Sequence, residues 1–133
     1  MPNGQCHCAA IRYEVVGTPI YSGLCHCSDC RRHAGAPLVG WTAYPASSLT
    51  VLQGAPKIYA SSEHGRRHFC ADCGTGLFYF NDVALPGIAD IQTATLDDPG
   101  AIAPQMHVQV AERIAWMEGA HALPVFERYP SRD

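Results

Sequence analysis

Seven cysteines stand in three tight clusters, and their thiols are the groups in this chain best suited to chemistry. The clusters contain Cys6 and Cys8, then Cys25, Cys27 and Cys30, and finally Cys70 and Cys73. Thiols two or three residues apart suit a metal ion, because the short loop between them wraps one centre. Disulfide bonds are disfavoured, because seven is an odd number and Cys–x–Cys neighbours bridge each other poorly.

The first and third clusters together predict one closed metal site. In an extended strand, side chains at i and i+2 face the same way, so Cys6 and Cys8 would point at one ion. The Cys70–x–x–Cys73 turn brings two more sulfurs together, and Gly74 frees its exit from steric limits. Four thiolates complete a tetrahedral zinc site, which predicts a structural role. The alternative is a buried thiol pair or a redox dithiol.

The middle cluster, CHCSDC, is one ligand short of a closed site. Cys25, Cys27 and Cys30 supply three thiolates, and water, a histidine, a carboxylate or an incoming thiol would take the fourth position. Three protein ligands with an exchangeable position are typical of catalytic zinc. Arg31 and Arg32 follow directly and would offset negative charge or bind an anionic substrate. Two alternatives remain, a second structural zinc closed by a histidine or carboxylate, and a redox pair.

The cysteines could also be divided between the two metal sites in another way. Cys6 and Cys8 could share an ion with the middle cluster and leave Cys70 and Cys73 over. We favour the split into four and three because it uses each motif whole. The sequence indicates no unambiguous general base; the nearest titratable groups to the middle cluster are His26, Asp29 and His33.

Composition limits the classes of function. The 133 residues carry a formal net charge of −3, and metal-bound thiolates would make the chain more negative, which argues against a nucleic-acid partner. No apolar run reaches the length of a membrane span, and MPNGQCHC does not resemble a signal peptide. We therefore predict a single domain over residues 1–133 in the cytoplasm, where thiols stay reduced.

The elements that must position the cysteines are mostly strands. Residues 10–16 alternate, with Ile11, Tyr13 and Val15 on one face, and Ser28 to Gly35 reads as a short helix. Many short strands with Gly and Pro between them predict a mainly β fold of stacked antiparallel sheets with little helix. Further expected strands are 38–44, 75–81, 90–96 and one starting near 107, with 49–54 and 57–61 as a hairpin and one helical turn in 123–129.

At these motifs the sequence resembles the glutathione-dependent formaldehyde-activating enzyme family, which includes centromere protein V-like domains. The resemblance is carried by GQCHC, CHCSDCRRHAGAP and FCADCGTGLFYF, and more weakly by MHVQV and LPVFERYP. It spans nearly the whole chain in the family's order and spacing. One Cys–x–x–Cys alone would not be specific, but the combined pattern is.

The resemblance implies coiled β-sheets stapled by zinc, with two zinc ions per chain. A structural zinc carries over to Cys6, Cys8, Cys70 and Cys73, and a labile second zinc to Cys25, Cys27 and Cys30. The implied activity is that of a carbon–sulfur lyase, S-(hydroxymethyl)glutathione synthase, which joins formaldehyde to the small thiol glutathione. Because one fold hosts many functions, the alternative is a non-catalytic zinc-binding module for protein interaction or zinc handling.

Overall fold

The computed structural model, which describes residues 3–131, contains ten short strands and one α-helix. The strands are β1 Asn3–Gln5, β2 Arg12–Val15, β3 Tyr21–Cys25, β4 Val39–Pro45, β5 Leu49–Gln53, β6 Lys57–Ala60, β7 Gly65–Phe69, β8 Gly76–Asn81, β9 Leu85–Gln92 and β10 Met106–Val108. The helix α1 is Ser28–Ala34. Short 3-10 segments cover Ala46–Ser48, Thr93–Thr95, Pro99–Ala101, Val110–Glu112 and Ala115–Ala122.

The strands form two sheets. The small sheet has the order β1-β2-β5, and the large sheet has the order β10-β3-β4-β9-β8-β7-β6. Neighbouring strands are antiparallel except β10, which runs parallel to the end of β3 and pairs Val108 with Cys25. The predicted fold class, mainly β with antiparallel stacked sheets and little helix, is confirmed.

One face of the large sheet packs with the small sheet to form the main core. Ile11, Tyr13 and Val15 are buried as their alternation predicts, because side chains two apart on a strand share a face. The rings of Tyr13 and Phe78 meet edge to face with centroids 5.0 Å apart. Cys6 and Cys70 belong to the same cluster of buried side chains, so the predicted closed metal site borders this core.

The opposite face of the large sheet carries a transverse row of residues that positions the functional site. Across neighbouring strands Tyr21 pairs with Ala43, Ala43 with Asp90, Asp90 with Tyr79, and Tyr79 with Arg67. Directly paired residues of adjacent strands project to the same side of a sheet. Residues from β3, β9, β8 and β7 are therefore neighbours although the sequence separates them widely.

Three local predictions are wrong. Residues 49–54 and 57–61 do not form a hairpin: β5 pairs with β2 in the small sheet and β6 with β7 in the large one. Gly54 lies against the carbonyl oxygen of Ala10 with a φ of +76°, which directs the chain across from one sheet to the other. The expected strand 90–96 is the end of β9 followed by a 3-10 turn, and 123–129 contains no helical turn.

Within residues 3–131, the helical segments are all too short, or too polar, to cross a bilayer.

Candidate metal centres and an adjoining cavity

The four outer cysteines meet in one cluster, which we call the closed cluster (Cys6, Cys8, Cys70 and Cys73). Their sulfur atoms all lie within 4.8 Å of one another. The Sγ–Sγ distances are 3.7 Å from Cys6 to Cys8 and 3.8 Å from Cys8 to Cys70. Thiolates bound at about 2.3 Å around one tetrahedral ion are about 3.8 Å apart. These donors therefore could hold a metal ion in closed coordination.

The first half of the closed cluster is built differently from expectation. Cys6 and Cys8 lie in a turn after β1, so the prediction that an extended strand aligns them is wrong. The N–H of Ala9 donates to the carbonyl of Cys6, and Ala9 itself takes a φ of +65°, which folds the chain back. The N–H of Ile11 donates to the Cys6 sulfur at 3.3 Å. The pair is thus a second knuckle, opposite the turn of Cys70 and Cys73.

The second half follows the expected form. The N–H of Gly74 donates to the carbonyl of Cys70 at 2.8 Å, and Gly74 has a φ of +83°. Only a residue tolerant of the left-handed region closes the turn at this point without strain. The hydroxyl of Thr75 lies 3.2 Å from the Cys73 sulfur. Cys6 and Cys70 are buried at 1% exposure each, whereas Cys8 is exposed, so the cluster lies at the edge of the core.

The three remaining cysteines meet in the central cluster (Cys25, Cys27 and Cys30), whose sulfur atoms also lie within 4.8 Å of one another. Cys25 ends β3, Cys27 is the N-cap of α1, and Cys30 faces inward from its first turn. The Cys27 sulfur accepts the N–H of Cys30 at 3.3 Å. A strand end and a helix start thus bring three sulfurs together within six residues. These three donors could hold a metal ion.

A buried arginine lies against the central cluster. Arg67 of β7 is 5% exposed, and its two terminal nitrogens lie 3.7 and 3.8 Å from the Cys30 sulfur. Its guanidinium carbon sits 4.7 Å from the ring centroid of Tyr79, a cation–π contact. Hydrogen bonds from Cys25 and Cys27, together with the Arg67 charge, lower the pKa of Cys30 to about 5. The site therefore favours thiolate at this position.

The central cluster borders a cavity of about 570 Å³, in the range typical of small-molecule sites. Its floor is the transverse row of the large sheet, with Trp41 beside it. Its rim comes from the segment after β10 and from the first turn of α1. The lining residues are Tyr21, Gly23, Cys25, Cys27, Asp29, Cys30, Trp41, Arg67, Tyr79, Leu85, Asp90, Met106, Val108, Gln109 and Glu112.

Asp90 is the buried carboxylate of this cavity. It is 6% exposed, and the hydroxyl of Tyr21 lies 3.4 Å from each of its carboxylate oxygens. Burial raises the pKa of Asp90 to about 6, with a further upward contribution from the Cys30 charge, while the Tyr21 hydrogen bond acts in the opposite direction. Neither Asp90 nor Arg67 is among the site residues that the sequence predicts. Asp90 is the one charged residue of the otherwise mostly apolar strand β9, which was an available signal, whereas Arg67 lies between Arg66 and His68 and nothing local distinguishes it.

Arg31 and Arg32 lie elsewhere. They line a separate shallow depression with Ile114 and Trp116, and neither lines the cavity beside the thiols. The Nε of Arg31 donates to the carbonyl of His26 at 3.2 Å, so this side chain helps fix the loop before α1. Their role in substrate binding stays a prediction.

The histidines near the clusters are engaged away from the cavity. His26 is buried, and its Nε2 lies 2.9 Å from Nδ1 of His107, which ties the end of β3 to β10. His33 stacks near Tyr59, on the far side of α1. Asp29 is exposed at the cavity rim.

The chain is similar to one protein-family model and to several known proteins. A family model described as glutathione-dependent formaldehyde-activating enzyme matches residues 1–112. A Halomonas elongata protein provisionally named a glutathione-dependent formaldehyde-activating enzyme is 29% identical over 124 residues, which cover 86% of this chain and 78% of that protein. An uncharacterized lyase of Schizosaccharomyces pombe is 32% identical over 76 residues, covering 57% and 55%.

A solved structure shares the fold. The crystal structure of a Rhodobacter sphaeroides protein matches with a TM-score of 0.62 and 23% identity, covering 80% of this chain and 99% of that one.

Proposed function

This chain belongs to the glutathione-dependent formaldehyde-activating enzyme family, and we propose that it is a zinc-dependent carbon–sulfur lyase acting on thiol–aldehyde adducts. The family and the names of its relatives support a formaldehyde-activating or lyase-like function. In the proposed reaction the sulfur of glutathione adds to the carbon of formaldehyde, giving S-(hydroxymethyl)glutathione, and the reverse step cleaves that carbon–sulfur bond. The observation that carries the proposal is the position of three convergent thiols at the wall of a substrate-sized cavity.

The donor sets fit two zinc ions with different roles. Soft thiolates select zinc among the common divalent ions, and the sulfur separations of the closed cluster match its tetrahedral geometry. We assign a structural zinc to Cys6, Cys8, Cys70 and Cys73. Cys25, Cys27 and Cys30 would hold the second zinc, with the cavity beside its remaining position. When bound there, zinc supplies a Lewis acid that lowers the pKa of a thiol or polarises an aldehyde oxygen.

The residues around the central cluster support this role. Arg67 offsets the excess negative charge of three thiolates and holds the Cys30 sulfur in place. The Tyr79 ring holds its planar guanidinium in place, and among residues 3–131 no carboxylate forms an ion pair with it. Trp41 and Tyr79 provide apolar walls that exclude water from the reacting groups.

The charged ends of glutathione require contacts farther out. We propose Arg31 and Arg32 as candidates for its carboxylates, since they follow the central cluster on α1. Replacing exposed Arg32 by Ala would then raise the KM for glutathione a few-fold and leave kcat unchanged. An unchanged KM would remove Arg32 from the binding site.

We also propose that residues 1–133 form one domain and that the protein works in the cytoplasm. Both sheets share one core, which includes two of the closed-cluster cysteines. The seven cysteines form no disulfide bonds, and the proposed metal sites require them reduced, as a reducing compartment keeps them.

The test is exchange of formaldehyde with glutathione, followed by two-dimensional exchange NMR with protein that carries two zinc ions per chain. The proposal expects the exchange rate to rise in proportion to protein concentration. An unchanged rate would exclude the namesake reaction. Zinc analysis during glutathione titration tests the non-catalytic alternative, which expects two ions that neither exchange nor change coordination as the thiol is added.

A further inference from the structure

We propose that Asp90 is the catalytic acid–base residue of this cavity, carrying the proton between the thiol sulfur and the aldehyde-derived oxygen. The inference rests on the proposed function and adds the general base that the sequence does not indicate. Tyr21 is its positioning residue. Geometry, burial and the balance of the reaction each contribute to this assignment.

Position is the first argument. Asp90 occupies the centre of the transverse row, paired with Ala43 on one side and Tyr79 on the other. Ala43 has only a methyl group, so the carboxylate has open space toward β3 and is met there by Tyr21. Asp90 and the three thiols of the central cluster line the same cavity. A substrate whose sulfur approaches the thiols would therefore lie in the compartment that holds this carboxylate.

Asp90 has no partner that offsets the free-energy cost of removing its carboxylate from water. Among residues 3–131, none of the ion pairs involves Asp90, and the long contacts to the Tyr21 hydroxyl are its side-chain hydrogen bonds. Burying a carboxylate without a cation destabilises the folded state, and a neutral side chain of the same size would avoid that cost. A buried carboxylate without a cationic partner at a cavity wall indicates a functional role.

The third argument is the proton balance of the reaction. When the thiol adds to the aldehyde, the S–H bond breaks, the C–S bond forms, and the carbonyl π bond becomes a C–O single bond with an O–H. The carboxylate of Asp90 accepts the thiol proton and then donates it to the oxygen, so it ends the step unchanged. No oxidant or reductant is needed. The pKa of about 6 suits a group that must both take up and release a proton near neutral pH.

The other acidic residues of the cavity are less suited. Glu112 accepts hydrogen bonds from the hydroxyl and N–H of Ser28, at 2.9 and 3.4 Å, and so serves the start of α1. Asp29 is exposed at the rim, where bulk water competes with the substrate for its carboxylate. Asp29 is therefore a matched control, because its removal takes the same charge from the same cavity.

The experiment compares zinc-loaded wild type with Asp90→Asn, Asp29→Asn and Asp82→Asn in the formaldehyde–glutathione exchange assay. We expect Asp90→Asn to lower the rate at saturating glutathione about 100-fold, with glutathione affinity by calorimetry within about twofold of wild type. Asp82→Asn, an exposed change in the turn between β8 and β9 and outside the cavity, should stay within about threefold in rate, and Asp29→Asn should lose at least tenfold less rate than Asp90→Asn. Tyr21→Phe, which keeps the ring, should lose about tenfold in rate without loss of affinity.

The outcomes are distinguishable. Wild-type exchange retained by Asp90→Asn overturns this inference and leaves the proposed function standing. No exchange catalysed by wild type overturns both. A purely structural Asp90 would make Asp90→Asn melt at a lower temperature than wild type, whereas the acid–base role expects an equal or higher melting temperature together with the lost rate. Loss of affinity equal to the loss of rate would make Asp90 a binding residue and also reject the proposal.

Discussion

The closed and central clusters use the same thiol chemistry with opposite surroundings. The closed cluster joins two knuckles more than sixty residues apart and lies against the main core, with two of its sulfurs fully buried. The central cluster is local, formed within six residues by a strand end and a helix start, and it borders a cavity. The two clusters thus differ in ligand number and in sequence separation. The four cysteines of the closed cluster link distant parts of the chain, while the three of the central cluster leave a fourth coordination position beside the cavity.

The largest expected effect is at the closed cluster. Cys70→Ser removes one of four ligands and should abolish cooperative folding, because structural zinc sites in small zinc-finger peptides contribute on the order of 10 kcal/mol or more. Circular dichroism melts and zinc content per chain measure this. The control is Asp72→Asn, an exposed change in the same turn, which should melt within a few degrees of wild type. If Cys70→Ser unfolds cooperatively at the wild-type temperature, the closed cluster does not have the structural role that distinguishes it from the central cluster.

The matched change at the central cluster is Cys27→Ser. Serine preserves the N-cap of α1 while the sulfur ligand is lost, so the helix should remain. We expect zinc content to fall from two ions to one, catalysed exchange to fall by more than about 100-fold, and the cooperative melt to persist. Stability loss equal to that of Cys70→Ser would show that the two clusters do not divide structure from chemistry.

A third test compares carboxylates beside the two clusters. The pKa of Asp90 is about 6 in the folded state against an ordinary 3.8, so the folded state binds more protons between these values and stability falls as pH rises through this window. Asp90→Asn should therefore stabilise zinc-loaded protein by up to about 3 kcal/mol at pH 8 and by about half of that at pH 5. The charged or titratable groups facing Asp90 are Tyr21, Cys30 and, across the row, Tyr79 and Arg67.

Denaturant unfolding at the two pH values measures this difference. Asp72→Asn, beside the closed cluster and exposed, should show no pH-dependent gain over wild type. A gain that is equal at pH 5 and pH 8 would contradict the raised pKa of Asp90.

The smallest expected effect concerns Arg67. Arg67→Met should weaken zinc binding at the central cluster about tenfold, because a charge neighbour that orients a ligand is lost. The zinc affinity of Arg67→Lys should lie between those of wild type and Arg67→Met, since lysine keeps the charge but lacks the planar guanidinium that stacks on Tyr79. Competition with a chromophoric chelator follows the release of each ion. Equal release from both clusters, or unchanged release from the central one, would refute the role of Arg67.

Local patterns in the sequence predict local structure here. The alternation of Ile11, Tyr13 and Val15 identifies β2, and Ser28 and Gly35 mark the ends of α1. The cysteine spacings also predict which thiols meet, with the partition into four and three matched by the sulfur distances. These features depend on residues close in sequence or on a ligand count.

The cavity could not be predicted in the same way. Arg67 and Asp90 reach the central cluster through the strand order β4-β9-β8-β7, which is set by pairing between distant segments. The same cause separates β5 from β6, whose short Gly-Ala-Pro connection looks like a hairpin turn. Strand order depends on the packing of both faces of the sheet, and alternation within one strand does not encode it.

The wide sequence spacing of the closed cluster also determines the order in which the two clusters are completed during synthesis. The three thiols of the central cluster are all present once residue 30 has been made, but the closed cluster waits for Cys73. At about 5–20 residues per second the intervening residues take roughly 2 to 9 s to synthesise. During that interval the nascent chain contains all three cysteines of the central cluster but not all four cysteines of the closed cluster. The central cluster can therefore acquire its ligand geometry before the closed cluster does.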